Sequence, residues 1–366
     1  MQLRQLAGAA LVDGIAQALA GGAPLAPVCD PRLQPALHLD QPVAEPDAAL
    51  VVPTSGTTSA PKAVVLSAAA IRFAAQATHA RLGGPGDWVC ALPTQHVAGL
   101  MTIARAVVAG THLGFARSDL ADLPEATSRS YLSLVSAQLH QAMNDPQLLA
   151  RLGGYQAILI GGSAINPDLL ARARASGLRV VTTYGASETC GGCVYDGLPL
   201  DGVGVELADE RILLRGPMVF SGYRLQPELT AQVLHGDVVT TADRGRFVGG
   251  RLEVLGRLDD VVISGGEKVD LAWAQQICDA TFGGPSAGGP VLLAVADPRW
   301  GQRVVAVATS ALTLAEVRER VGEVLGRAAV PKELRQVASM AYTSLGKIDR
   351  AALVRAWQEG VHGDVG

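Results

Sequence analysis

Leu11, Ile15 and Leu19 recur every four positions, with Asp13 and Gln17 between them. This spacing predicts an amphipathic opening helix rather than a signal peptide. Further along, short apolar runs at 49–53, 88–92, 111–115, 131–135, 156–161 and 178–183 alternate with helical stretches at about 67–81, 97–109, 136–151 and 166–175. Strands that apolar leave no face for water, so the alternation predicts a mainly parallel sheet covered by helices on both faces. From about 203 to 255 the pattern shortens to segments such as Arg211–Arg215, 237–240 and 251–255 with glycine turns, which predicts a small antiparallel β subdomain. A third pattern follows near 260: a helix at 270–280, strands at 290–296 and 303–309, a helix at 313–326, then a short strand and a last helix at 348–358. The predicted fold is therefore α/β. A large N-terminal domain with its β subdomain spans 1–258, and a small α+β C-terminal domain spans 259–366.

Composition narrows the function classes. A chain of 366 residues can bury ample core, and its net charge of −4 makes no electrostatic case for nucleic acid or an anionic membrane. No charge-free apolar stretch of about 18 residues suggests a membrane span. The five cysteines are odd in number and scattered, which points to a reducing, cytoplasmic setting. Cys190 and Cys193 have metal-ligand spacing but no second such pair, so zinc is disfavoured. Self-association into a homo-oligomer is left open.

The densest chemistry lies at 54–62, Thr-Ser-Gly-Thr-Thr-Ser-Ala-Pro-Lys, directly after an apolar strand. Thr54, Ser55, Thr57 and Thr58 offer hydroxyls, Gly56 offers backbone freedom and Lys62 a cation, a set suited to a phosphate chain beyond the end of a strand. A Walker A loop is excluded, because Pro61 precedes Lys62 and Ala63 follows it. Four further blocks follow in order: 184–188 (Tyr-Gly-Ala-Ser-Glu), 241–243 (Thr-Ala-Asp), 256–260 (Gly-Arg-Leu-Asp-Asp) and 346–350 (Gly-Lys-Ile-Asp-Arg). Together the five resemble the adenylate-forming acyl-CoA synthetase superfamily over nearly the whole chain. The run 187–197 and the short length are most similar to the o-succinylbenzoate–CoA ligases of menaquinone synthesis within it.

That resemblance implies ATP, Mg²⁺ and CoA as participants and a small-molecule carboxylate as substrate. It implies that the 54–62 loop holds the β- and γ-phosphates and that Tyr184 and Gly185 lie by the adenine. Ser187 would contact the α-phosphate and Glu188 would ligate Mg²⁺. Asp243 and Arg257 would serve the ribose or phosphates, and Lys347 would bridge the attacking carboxylate and the α-phosphate. Asp259 matches the family's hinge, and Gly265 and Gly266 permit close backbone approach of the CoA arm. The block 92–99 resembles the acyl-site segment, with His96 near the carboxylate. Members of the family usually carry a longer portion than the 53 residues found here before the phosphate loop, which implies a reduced part of the large domain.

Arg105 bears on substrate choice. It sits in 100–109, a stretch apolar on almost every other face, so it is expected to be buried and to need an anion. Either the second carboxylate of o-succinylbenzoate or an internal acid would serve, and Ser163 in Gly161-Gly162-Ser163-Ala164 is a further pocket candidate. Activation of another aryl or acyl carboxylate, or loading of a separate carrier protein, are the alternative readings.

Overall fold

The computed structural model describes residues 1–45, 47–54, 61–264, 267–299, 301–342 and 348–360, with the side chains of all but Asp259 and Ser286. The chain packs into two units: Met1–Thr241 with Phe247–Glu253, and Ala242–Arg246 with Val254–Gly366.

The first unit is built on two sheets. One orders its strands Arg4–Leu6, Leu25–Pro27, Ala48–Thr54, Lys62–Ser67 and Gly222–Tyr223, parallel for the first three and antiparallel thereafter. The other has seven strands. Five of them, Val180–Ala186, Ala157–Ile160, Ser130–Leu134, Asp87–Cys90 and Leu113–Phe115, run parallel, and Gly191–Tyr195 and Leu198–Pro199 extend the sheet antiparallel. Alternation along each strand divides the core. Leu50, Val52, Val64 and Leu66 face the layer formed by helices Ala10–Leu19, Ala68–Arg81 and Val97–Ala109, and Ala157 and Leu159 approach the same layer from the second sheet. Val51, Ala63 and Val65 point the other way, toward Leu37 and Val43. Ile158 and Ile160 pack with Leu139, Leu152 and Ala173 on the outer helices. The predicted mainly parallel α/β layering is thus realised with apolar strands covered on both faces.

Three local features differ from the sequence expectation. The stretch 136–151 forms two helices, Ser136–Ala142 and Pro146–Gly153, because Pro146 bars helical geometry at Asp145, whose carboxylate instead caps the second helix through the N–H groups of Gln147 and Leu148. The strand Lys62–Ser67 lies outside the predicted runs. Val261–Ser264 pairs antiparallel with Glu267–Asp270, and neither strand is among the predicted runs. The predicted small β region appears as Gly204–Ala208 paired with Arg211–Arg215, followed by Leu234–His235, Val238–Val248 and Arg251–Arg257.

In the second unit, Val291–Asp297 and Gly301–Ala308 pair antiparallel along their length, and Leu334–Gln336 adds in parallel. Helices Leu271–Phe282 and Leu314–Leu325 cover one face of this sheet and Arg350–Gln358 the other.

Arg224 fastens the 33–43 segment to the first sheet. It is only 2% exposed, and its guanidinium donates to the carbonyls of Leu37, His38, Gln41 and Pro42. Five N–H donors in one planar fork allow this, and no other side chain could satisfy four carbonyls at once. Arg224→Met should leave those acceptors without donors and lower stability by about 3 kcal/mol or more, read as a fall in melting temperature. An unchanged melt would show that water replaces the guanidinium without penalty.

Candidate active site

Two backbone devices place Glu188. The hairpin joining Val180–Ala186 to Gly191–Tyr195 pairs Gly185 with Gly192, and a Cβ on Gly185 would lie 2.0 Å from the Gly191 carbonyl oxygen, so only glycine lets the strands close. The turn at Ser187–Thr189 is then held by Thr189, whose buried hydroxyl accepts from the Ala186 N–H at 2.9 Å and donates to the Gly191 carbonyl at 2.8 Å. Cys190 takes a left-handed conformation, φ 52°, to complete the turn. Ser187 and Glu188 are projected from the end of the strand, and Tyr184 and Gly185 lie within it.

Lys62 begins its strand in the other sheet, with Thr54 opposite it; the Thr54 hydroxyl donates to the Lys62 carbonyl at 3.4 Å. The Lys62 ammonium lies 3.2 Å from Glu188 Oε1 and 2.6 Å from the Tyr223 hydroxyl, which in turn lies 2.6 Å from the same Oε1. Tyr223 was not among the residues singled out from the sequence. It comes from the two-residue strand Gly222–Tyr223, paired beside Val64, and nothing local marks it. Burial pushes its phenol pKa up, and the Glu188 charge adds to the effect, so the hydroxyl keeps its proton. Glu188 Oε2 carries no hydrogen bond from any described residue. Among the described residues no cluster of three or more His, Cys, Asp or Glu could cage a metal. A single carboxylate with a free oxygen suits a hard divalent cation whose other ligands are phosphate oxygens and water.

His96 precedes helix Val97–Ala109 in extended conformation, with its ring Nε2 3.3 Å from Gln95 Nε2. Arg105 lies within that helix, 5% exposed, and its guanidinium carbon sits 5.0 Å from the centre of the Trp88 ring. Its Nε has no hydrogen-bond partner, and no carboxylate among the described residues pairs with it. The Trp88 face offsets part of the charge. Behind it, Trp88 Nε1 donates to His79 Nε2 at 3.0 Å. Burial first, and then the charge of Arg105, lower the His79 pKa to about 4, so no second cation forms there at neutral pH. Ser163 is exposed in the turn before helix Pro167–Ala175.

Within the second unit, Arg257 donates to Asp243 at 3.4 Å. Asp259 lies in the short turn Leu258–Asp260. Ser55, Gly56, Thr57, Thr58, Gly265, Gly266 and Lys347 lie outside the described residues. Cys190 and Cys193 are free and fully buried; burial pushes both thiols up, Cys193 to about 12.

A two-sheet α/β unit that ends a parallel strand on a carboxylate, beside a lysine following a hydroxyl-rich loop, defines the frame of a nucleotide-activating enzyme. Residues 17–224 match the AMP-binding enzyme family, and the chain belongs to that family. It is 42% identical over 332 residues to a Mycobacterium tuberculosis protein named probable 2-succinylbenzoate–CoA ligase, covering 84% of each chain. The Enterococcus faecalis 2-succinylbenzoate–CoA ligase is 28% identical, over 82% of this chain and 68% of the relative. The structure superposes on an Escherichia coli MenE variant with bound OSB-AMS at a TM-score of 0.77 and 24% identity, covering 98% of this chain and 88% of that one. It superposes on the Bacillus subtilis o-succinylbenzoate CoA synthetase in complex with OSB-AMP at 0.73 and 22% identity, covering 93% and 80%. At these identities the two structures establish the shared fold.

Exchanging a buried cation that no described carboxylate pairs with for an apolar chain of similar length should be neutral or stabilising, by roughly 0 to a few kcal/mol. Arg105→Met is therefore expected to melt at or above the wild-type temperature. A clear drop would reveal an internal anion. Thiol titration of the native protein should find at most one reactive group, the half-buried Cys29, and five after denaturation. Fast labelling of a second native thiol would reopen a redox role for Cys190 and Cys193.

Proposed function

We propose that this chain activates 2-succinylbenzoate with ATP and transfers the acyl group to CoA, releasing AMP and pyrophosphate, as a step of menaquinone biosynthesis. The observation that carries the substrate is the 42% identity spanning 84% of both chains with a protein named for that acid. Arg105 supports it: a buried guanidinium that pairs with no acid among the described residues suits a substrate that keeps a second carboxylate after the first has been activated.

In the first half-reaction one carboxylate oxygen attacks the α-phosphorus and pyrophosphate leaves. In the second, the CoA sulfur gives up its proton and attacks the acyl carbon, and AMP leaves. Neither step creates a difficult nucleophile, so rate enhancement comes from alignment and charge neutralisation. Lys62 and the hydroxyls of 54–58 are assigned the β- and γ-phosphates, Ser187 the α-phosphate, and Tyr184 and Gly185 the adenine. Asp243 and Arg257 are assigned the ribose, and Lys347 the developing charge between carboxylate and α-phosphate. Gly265 and Gly266 are assigned the pantetheine arm, with Asp259 the hinge residue. His96 faces the reacting carboxylate in this reading, Arg105 takes the distant one, and Ser163 is a secondary lining residue. Mg²⁺, held through Glu188, would neutralise phosphate charge as pyrophosphate departs. The reducing cytoplasm suits the five free thiols, and no helix among the described residues is long and apolar enough to cross a membrane.

Pyrophosphate release is the direct test, with ATP, Mg²⁺, CoA and 2-succinylbenzoate beside benzoate and a short fatty acid. Selective turnover of the dicarboxylate is expected. Arg105→Ala should cut kcat/KM for it by about 100-fold while sparing benzoate, because a desolvated charge partner is worth roughly 2–5 kcal/mol. Turnover confined to another acid would retain the ligase chemistry and discard the substrate.

A further inference from the structure

The Tyr223 hydroxyl occupies a position that neither the five sequence blocks nor the substrate reading explains. Its oxygen is 2.6 Å from the Lys62 ammonium and 2.6 Å from Glu188 Oε1, while those two groups are 3.2 Å apart. An ammonium can only donate and a carboxylate can only accept. The phenol therefore accepts from Lys62 and donates its single proton to Glu188, and no other arrangement of hydrogens satisfies the three groups.

The rest of Tyr223 is anchored. Its backbone pairs with Val64 in the sheet, and its N–H donates to the Thr230 hydroxyl at 2.8 Å. Gly222, at φ 145°, brings the strand against Thr230, where a Cβ would lie 3.0 Å from the Thr230 methyl. The Tyr223 ring meets Phe220 edge-on at 4.9 Å, and the Phe220 N–H donates to the Glu188 carbonyl at 2.9 Å. The Lys62 ammonium also lies 4.0 Å from the centre of the Tyr223 ring. A rigid phenol thus contacts two flexible charged side chains, both of which lie mostly out of water.

We propose that Tyr223 is a positioning residue for the metal–nucleotide complex. It fixes the Glu188 carboxylate through Oε1 so that Oε2 stays available to the cation, and it holds the Lys62 ammonium with one donor to spare for phosphate. This inference rests on the ATP- and Mg²⁺-dependent reading above. A merely structural tyrosine would fill space through its ring; here the hydroxyl is the active part. Tyr223→Phe keeps the ring, its contact with Phe220 and its face toward Lys62, and removes only the relay.

The experiment measures Tyr223→Phe and wild type for initial rates against ATP, Mg²⁺, acid and CoA. Calorimetric binding of a non-hydrolysable ATP analogue with and without Mg²⁺, and melting temperature, complete the comparison. The variant is expected to show a roughly tenfold higher KM for Mg·ATP, the scale of one hydrogen bond to a charged group. Its deficit should shrink as Mg²⁺ is raised, with KM for acid and CoA within about twofold and the melting temperature little changed. Analogue binding should weaken about tenfold with Mg²⁺ and much less without it. In a Glu188→Gln background the Tyr223→Phe change should add little, because both act through one carboxylate. Wild-type ATP and Mg²⁺ dependence in Tyr223→Phe would overturn the proposal. So would equal losses for all three substrates accompanied by a lower melting temperature. A wild-type protein silent with every acid would instead count against the ligase reading, and the calorimetric comparison would still decide the role of Tyr223.

Discussion

One contact ties the first unit together at its chemical end: the ammonium of Lys62 against the carboxylate of Glu188, across Tyr223. The lysine belongs to one sheet and the glutamate to a turn at the end of the other, so the sheets must meet at a fixed offset for the charges to pair. The backbone bond from the Phe220 N–H to the Glu188 carbonyl sets the same offset. A largely desolvated ion pair is a weak source of stability, because much of the Coulomb attraction is offset by lost hydration. In the proposed reading its value would lie in keeping two charges ready for a polyanion. The surrounding apolar layers supply the stability that the pair does not.

The helix that carries Arg105 follows a similar rule with the opposite outcome. Helix Val97–Ala109 is buried on most of its surface, and Arg105 is carried into that environment without an internal acid among the described residues. The protein tolerates this through the Trp88 face and through a His79 ring that stays neutral at physiological pH. In the reading proposed above, a guanidinium so placed would discriminate by charge, since a second carboxylate on the acid could pair with it and a monocarboxylate could not.

The first of these charge arrangements depends on one glycine and one threonine. Gly185 allows the hairpin that carries Glu188 to close, and Thr189 satisfies its backbone from within. Backbone strain at Cys190 is confined to this turn, where a displaced carboxylate would matter most.

Much was legible from the chain alone because it is local. Apolar runs of strand length must be buried on both faces, and the alternation with helices admits few layerings. The break at Pro146 is local too, since proline bars helical geometry at the residue before it, although the apolar pattern alone suggests one helix there. The ordered blocks around Lys62, Glu188, Asp243 and Lys347 carry their chemistry within a few residues each, so they identified the enzyme class before any packing was known. What only the tertiary structure decided depends on sheet order. Tyr223 meets Lys62 across 161 residues and Glu188 across 35, and Arg224 reaches the carbonyls of a segment more than 180 residues earlier. A two-residue strand has no periodicity to read, and a buried arginine bonded only to carbonyls leaves no acidic partner in the sequence. That no acid among the described residues pairs with Arg105 is likewise a fact of packing. It depends on every element surrounding one helix, and no window of sequence contains them all.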